Sequence, residues 1–77
     1  MREQHHEIGL TAGKIYQDLE REGPKPLIAL QRDIGVSDSA LFNQALGWLA
    51  REEKIDFEKK GKVWRVSLAR EIFVQND

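Results

Sequence analysis

The chain has 77 residues, no cysteine, and 12 lysines and arginines against 13 aspartates and glutamates. That length suits one domain, and the absence of cysteine excludes disulfides, thiolate metal sites and thiol catalysis. A formal net charge of −1 and a sequence pI of about 6.1 set it apart from dedicated nucleic-acid domains, whose pI is commonly above about 9, so any such contact must come from a local patch.

A domain of this size buries only roughly 60–65% of its unfolded surface. With disulfides excluded, self-association is the common remaining source of stability. No apolar run approaches the ~20 residues of a membrane span. Met1 to His6 has no signal-peptide core. A soluble, cytoplasmic protein is expected.

Residues 1–7 are polar and expected to be a flexible N-terminus. A first helix should run from about Ile8 to Glu22, with Ile8, Ala12, Ile15 and Leu19 on one buried stripe. Gly23-Pro24 should stop it. Lys25-Pro26-Leu27 is extended by default, because a residue before proline avoids the helical region; it suits an edge strand of one or two pairs. A short second helix is expected at about Ile28 to Ile34, with Leu30 and Ile34 inward. Gly35 is the candidate for positive φ at a sharp corner.

Ser37 is the expected cap of a third helix, about Asp38 to Glu53. On a helical wheel Trp48, Leu41, Ala45, Leu49, Phe42 and Leu46 form one wide apolar arc. Ala40, Asn43, Gln44, Gly47 and Arg51 lie opposite. Lys54 to Lys59 and Lys62 to Leu68 alternate as strands. A two-residue turn at Lys60-Gly61 would pair Phe57 with Trp64, Ile55 with Val66, and Asp56 with Arg65. Both tryptophans are then expected in the core, with stacking on single strands as the alternative use. Residues 69–77 form a tail carrying Ile72-Phe73-Val74, three apolar residues with no assigned place.

A helix, a short helix, a glycine turn, a longer helix and a hairpin together predict an α+β winged helix-turn-helix domain over about residues 8–68. Ala45-Leu46-Gly47-Trp48-Leu49-Ala50-Arg51-Glu52, with Ile8-Gly9 and Ala12-Gly13-Lys14-Ile15 upstream, resembles a narrower group: small stand-alone bacterial winged-helix proteins without an assigned biochemical function. The resemblance implies the fold and supplies no ligand. Ile28 departs from the general pattern, in which a Ser, Thr or Asp cap often stands at the start of the second helix.

Two surfaces carry candidate chemistry. Ser39, Asn43 and Gln44 would face a DNA groove, where Asn and Gln can pair with adenine; the alternative is an ordinary solvated face. No Lys or Arg stands between Asp33 and Ala50. Cations for phosphate must therefore come from Arg51, Lys54 and the hairpin lysines Lys59, Lys60 and Lys62. Tip lysines equally serve to keep sheet edges apart. Gly47 is placed where a close approach to helix 3 would need it, or is simply tolerated there.

His5-His6 lacks the third and fourth ligands of a metal site. Ser37-Asp38-Ser39 has no histidine placed as base, so it is a cap cluster and not a catalytic triad. Neither a cofactor site nor an enzyme signature is expected.

The expected function is a DNA-binding transcriptional regulator on double-stranded DNA. The alternative is a protein-interaction or homodimerisation module. Gly9 and Gly13, one turn apart, and Ile72, Phe73 and Val74 are its candidate dimer contacts; folding back of the tail is the other use of those apolar residues.

Overall fold

The computed structural model of the chain describes residues 2–69, with side chains from His6 onward. The order is α1 (Arg2–Glu22), β1 (Lys25–Pro26), α2 (Leu27–Ile34), α3 (Ser39–Arg51), β2 (Ile55–Lys60) and β3 (Val63–Leu68). The α1 helix begins at Arg2 rather than near Ile8. The candidate contacts Ile72, Phe73 and Val74 lie outside the described residues.

The core follows from the periodicities. Ala12, Ile15 and Leu19 of α1 meet Leu30 of α2, four residues of α3, and Ile55 and Val66 of the sheet. Ile15, Leu30 and Val66 are fully buried, each contributing roughly 1.5–3 kcal/mol by leaving water. Ile8 and Ile34 are half-buried at the margin of this cluster.

The sheet is antiparallel, in the order β1-β3-β2. β1 pairs Lys25 with Val66 and Pro26 with Arg65, the two-pair edge expected of a segment whose proline has no N–H to donate. α2 starts at Leu27 without a side-chain cap; Pro26 holds the capping position at φ −63° and ψ 147°. Gly35 closes α2 at φ 73°, a conformation that costs any residue with a Cβ.

The cap of α3 is Asp38, not Ser37. Its carboxylate accepts from the Leu41 N–H at 3.1 Å. A carboxylate at a helix N-terminus adds charge complementarity to the hydrogen bond, which a serine hydroxyl lacks.

The hairpin also differs in register. Lys60 pairs with Val63, Lys59 with Trp64, Glu58 with Arg65, Phe57 with Val66 and Ile55 with Leu68. The turn residues are Gly61-Lys62. Gly61 has φ 63°, and Lys62 is not among the positive-φ residues, the pattern of a II′ turn with glycine first. Moving the turn by one residue preserves which side chains share a face, because the side-chain period is two. It changes who lies opposite whom.

A buried lysine ties three elements together. Lys25 Nζ, on β1, sits 2.7 Å from Asp18 Oδ1 and 2.9 Å from Glu22 Oε1 on α1, and 2.8 Å from Asp33 Oδ2 on α2. The Asp18 contact is a charge pair at short range; Asp18 Oδ1 has no partner in hydrogen-bond geometry among the described residues. Asp18, then Asp33 and Glu22, hold the Lys25 ammonium well above its ordinary range, against the opposing effect of burial. Lys25 in turn lowers the carboxyl of Asp33.

Candidate nucleic-acid interface

The α3 helix presents two different surfaces. Phe42, Ala45, Leu46 and Leu49 are buried, while Ser39, Ala40, Asn43, Gln44, Gly47 and Arg51 are exposed along the opposite stripe. A Cβ built on Gly47 meets nothing within 4 Å. The chain's own packing therefore does not require glycine there.

Ser39, the first residue of α3, is already engaged. Gln31 on α2 donates from Nε2 to Ser39 Oγ at 3.1 Å and to Val36 O at 3.0 Å. Gln31 thus clamps the turn between α2 and α3 and fixes where α3 begins. No sequence signal marks it, because the clamp depends on the two helices meeting across Gly35. The Ser39 hydroxyl remains at the surface with a donor hydrogen of its own.

The hairpin tip gathers the cations. Lys59, Lys60 and Lys62 are all exposed, and Lys54 and Arg51 are exposed at the junction between α3 and β2. That junction is a tight C-cap. Glu53 N donates to Ala50 O and Lys54 N to Leu49 O, with Glu53 at φ 60°. The chain reverses there in three residues, which brings the cationic end of α3 directly into the hairpin.

The tryptophans depart from expectation. Trp64 is 47% exposed. The register places it opposite Lys59, next to the tip pair, beyond the base of the hairpin where Ile55 and Val66 are covered by helices. Lys59 Nζ stands 5.7 Å from the centre of its ring, a cation–π contact. Glycine's preference for the first position of a II′ turn was the signal that could have placed it. Trp48 is 44% exposed. It lies at one margin of the α3 arc, and the buried part of that arc is narrower than the apolar part.

Trp48 instead walls a shallow groove of about 420 Å³ between α1 and α3, with Gly9, Ala12 and Gly13 along α1, Tyr16 and Gln17 beside them, and Leu49 and Lys54 opposite. Gly9 and Gly13 are exposed, and neither would meet a neighbour through an added Cβ. Among the described residues, no group of three His, Cys, Asp or Glu is arranged to hold a metal ion, and no helix is long and apolar enough to cross a membrane.

Two helices joined by a glycine corner, a helix packed behind them and a β-hairpin following directly define a winged helix-turn-helix protein. The chain belongs to the family described as "Winged helix-turn-helix domain (DUF2582)", whose profile matches residues 1–68. It is also similar to an uncharacterized protein of Methanocaldococcus jannaschii, 43% identical over 63 residues that make up 79% of this chain and 89% of that protein.

Proposed function

We propose that this protein binds double-stranded DNA and acts in the cytoplasm as a transcriptional regulator. Lys59, Lys60 and Lys62 on the wing, with Arg51, would hold phosphates, and Ser39, Asn43 and Gln44 would face the groove. The observation that carries this reading is the wing tip, where three exposed lysines and a half-exposed Trp64 meet on one hairpin. A hairpin tip built only to resist edge pairing has no use for an exposed indole. Phosphate contacts supply affinity and α3 supplies reading.

The test is DNA affinity as a function of salt. Replacing Lys59, Lys60 and Lys62 together by Ala should make the log–log salt slope shallower by about 2 to 3, at ~0.9 for each phosphate no longer neutralised. Absence of binding at ~50 mM salt, where phosphate neutralisation is strong, refutes the reading. Self-association through the surface containing Gly9 and Gly13 is a second reading, favoured by the exposure of Trp48 beside them. A monomer at every concentration in sedimentation refutes that one.

A further inference from the structure

The groove between α1 and α3 has features of a docking site. Its lining includes Gly9, Ala12 and Gly13 and two aromatic rings, Tyr16 at 37% and Trp48 at 44% exposure. Two partly exposed aromatic rings beside glycine and alanine leave apolar area that an apolar side chain would remove from water.

The position of the chain's exit identifies the occupant. Ala69 N donates to Lys54 O at 2.9 Å, which continues the β2–β3 ladder by one step. Lys54 is itself part of the groove wall. Ala69, the last described residue, therefore stands at the groove's rim, and residues 70–77, Arg-Glu-Ile-Phe-Val-Gln-Asn-Asp, follow it in sequence. Phe73 follows Ala69 by four residues, a reach of up to roughly 13 Å. Arg51 stands on the adjoining surface with Ile8, Gly9 and Trp48.

We propose that the segment 70–77 folds back on its own chain and seats Ile72-Phe73-Val74 in the groove formed by Gly9, Gly13, Tyr16 and Trp48. Tethering decides between this chain's segment and that of a second copy. A short linker holds its own segment at an effective concentration of order mM, far above that of a separate chain at micromolar concentration. The glycines at 9 and 13 are explained by the same arrangement: larger side chains there would fill the space the phenyl ring takes. The proposal is independent of DNA binding, since the groove does not include the wing tip.

The test uses the full chain with Trp64→Phe, so that Trp48 is the sole indole. Phe73→Ser should raise acrylamide quenching of Trp48 about twofold as the apolar cover leaves the ring. It should shift the amide resonances of Gly9, Gly13 and Trp48 and leave those of residues 59–62 in place. Gly13→Leu, at an exposed position where an added Cβ meets nothing within 4 Å, should displace the segment by filling the groove. Nuclear Overhauser effects between the Phe73 ring and Trp48 should be present in the parent chain and absent from Gly13→Leu. Unchanged quenching and unchanged Gly9, Gly13 and Trp48 resonances in Phe73→Ser would overturn the proposal. So would protection that disappears on dilution together with a sedimenting dimer, which would make a second copy the occupant.

Discussion

Lys25 and Asp18 form a short charge pair, Nζ to Oδ1 at 2.7 Å, with both side chains at least nine-tenths buried. The two residues belong to the edge strand and to α1. Their contact fastens the start of the sheet to the helix that backs the helix-turn-helix.

Breaking that pair from one side should be costly. Lys25→Met leaves buried Asp18 with only the longer contact of the exposed Arg21, 3.8 Å from Oδ2, and should lower the unfolding free energy by about 2–3 kcal/mol. That is somewhat less than for a fully enclosed pair, because Glu22 and Asp33 reach water. Adding Asp18→Leu should recover most of that stability. Urea unfolding of the four members of the cycle measures this; a double variant as unstable as the sum of the singles would refute it.

The same cluster sets a pH window. Asp33 is held below its ordinary value of 3.8 by Lys25, so its contribution is present above that value and is lost as pH falls through the lowered one. Lys25 is held above its ordinary 10.5, so its contribution is present below 10.5 and is lost as pH rises through the raised value. Between these limits the cluster makes stability flat. In melting curves at acid pH, Asp33→Asn should show a shallower decline than the parent chain. Superimposable acid limbs would count against the assignment.

Glu53 occupies a position suited to glycine. It closes α3 at φ 60°, a conformation costing an L-residue roughly 1–2 kcal/mol, of which glycine's greater unfolded freedom returns part. Glu53→Gly should therefore stabilise the protein by about 0.5–1 kcal/mol. Thermal unfolding reads the sign directly, and a destabilised variant would show that the Glu53 side chain contributes more than its backbone costs.

Gly47 offers the opposite experiment. Its added Cβ meets nothing, so Gly47→Ala should stabilise α3 by about 0.4–1 kcal/mol. If α3 lies against DNA at this point, the same substitution weakens DNA binding while raising stability. Equal affinity in the two proteins would place the DNA away from Gly47.

Much of the architecture was readable without coordinates. The α1 stripe, the corner at Gly35, the two-pair edge strand and the alternation of the hairpin are short-range patterns, set by periods of 3.6 and 2 and by backbone freedom at single residues. The candidate site was readable as a set of residue types: amides and small residues on α3, lysines on the wing. The choice of Asp38 over Ser37 as cap turned on a difference of one residue between two competent side chains, and the hairpin turn moved by one for the same kind of reason.

What required the folded chain was coverage and meeting. Periodicity says that Trp48 and Trp64 share faces with core residues, yet whether another element reaches far enough to cover them depends on helix length and strand register. Both rings stayed half in water because the core ends short of them. Lys25 meets Asp18, Glu22 and Asp33, and Gln31 meets Ser39, across sequence distances with no common spacing, so these pairings exist only once α1, β1, α2 and α3 have packed. Local patterns were written in neighbouring residues; burial and charge pairing depend on which surfaces the packed elements leave open.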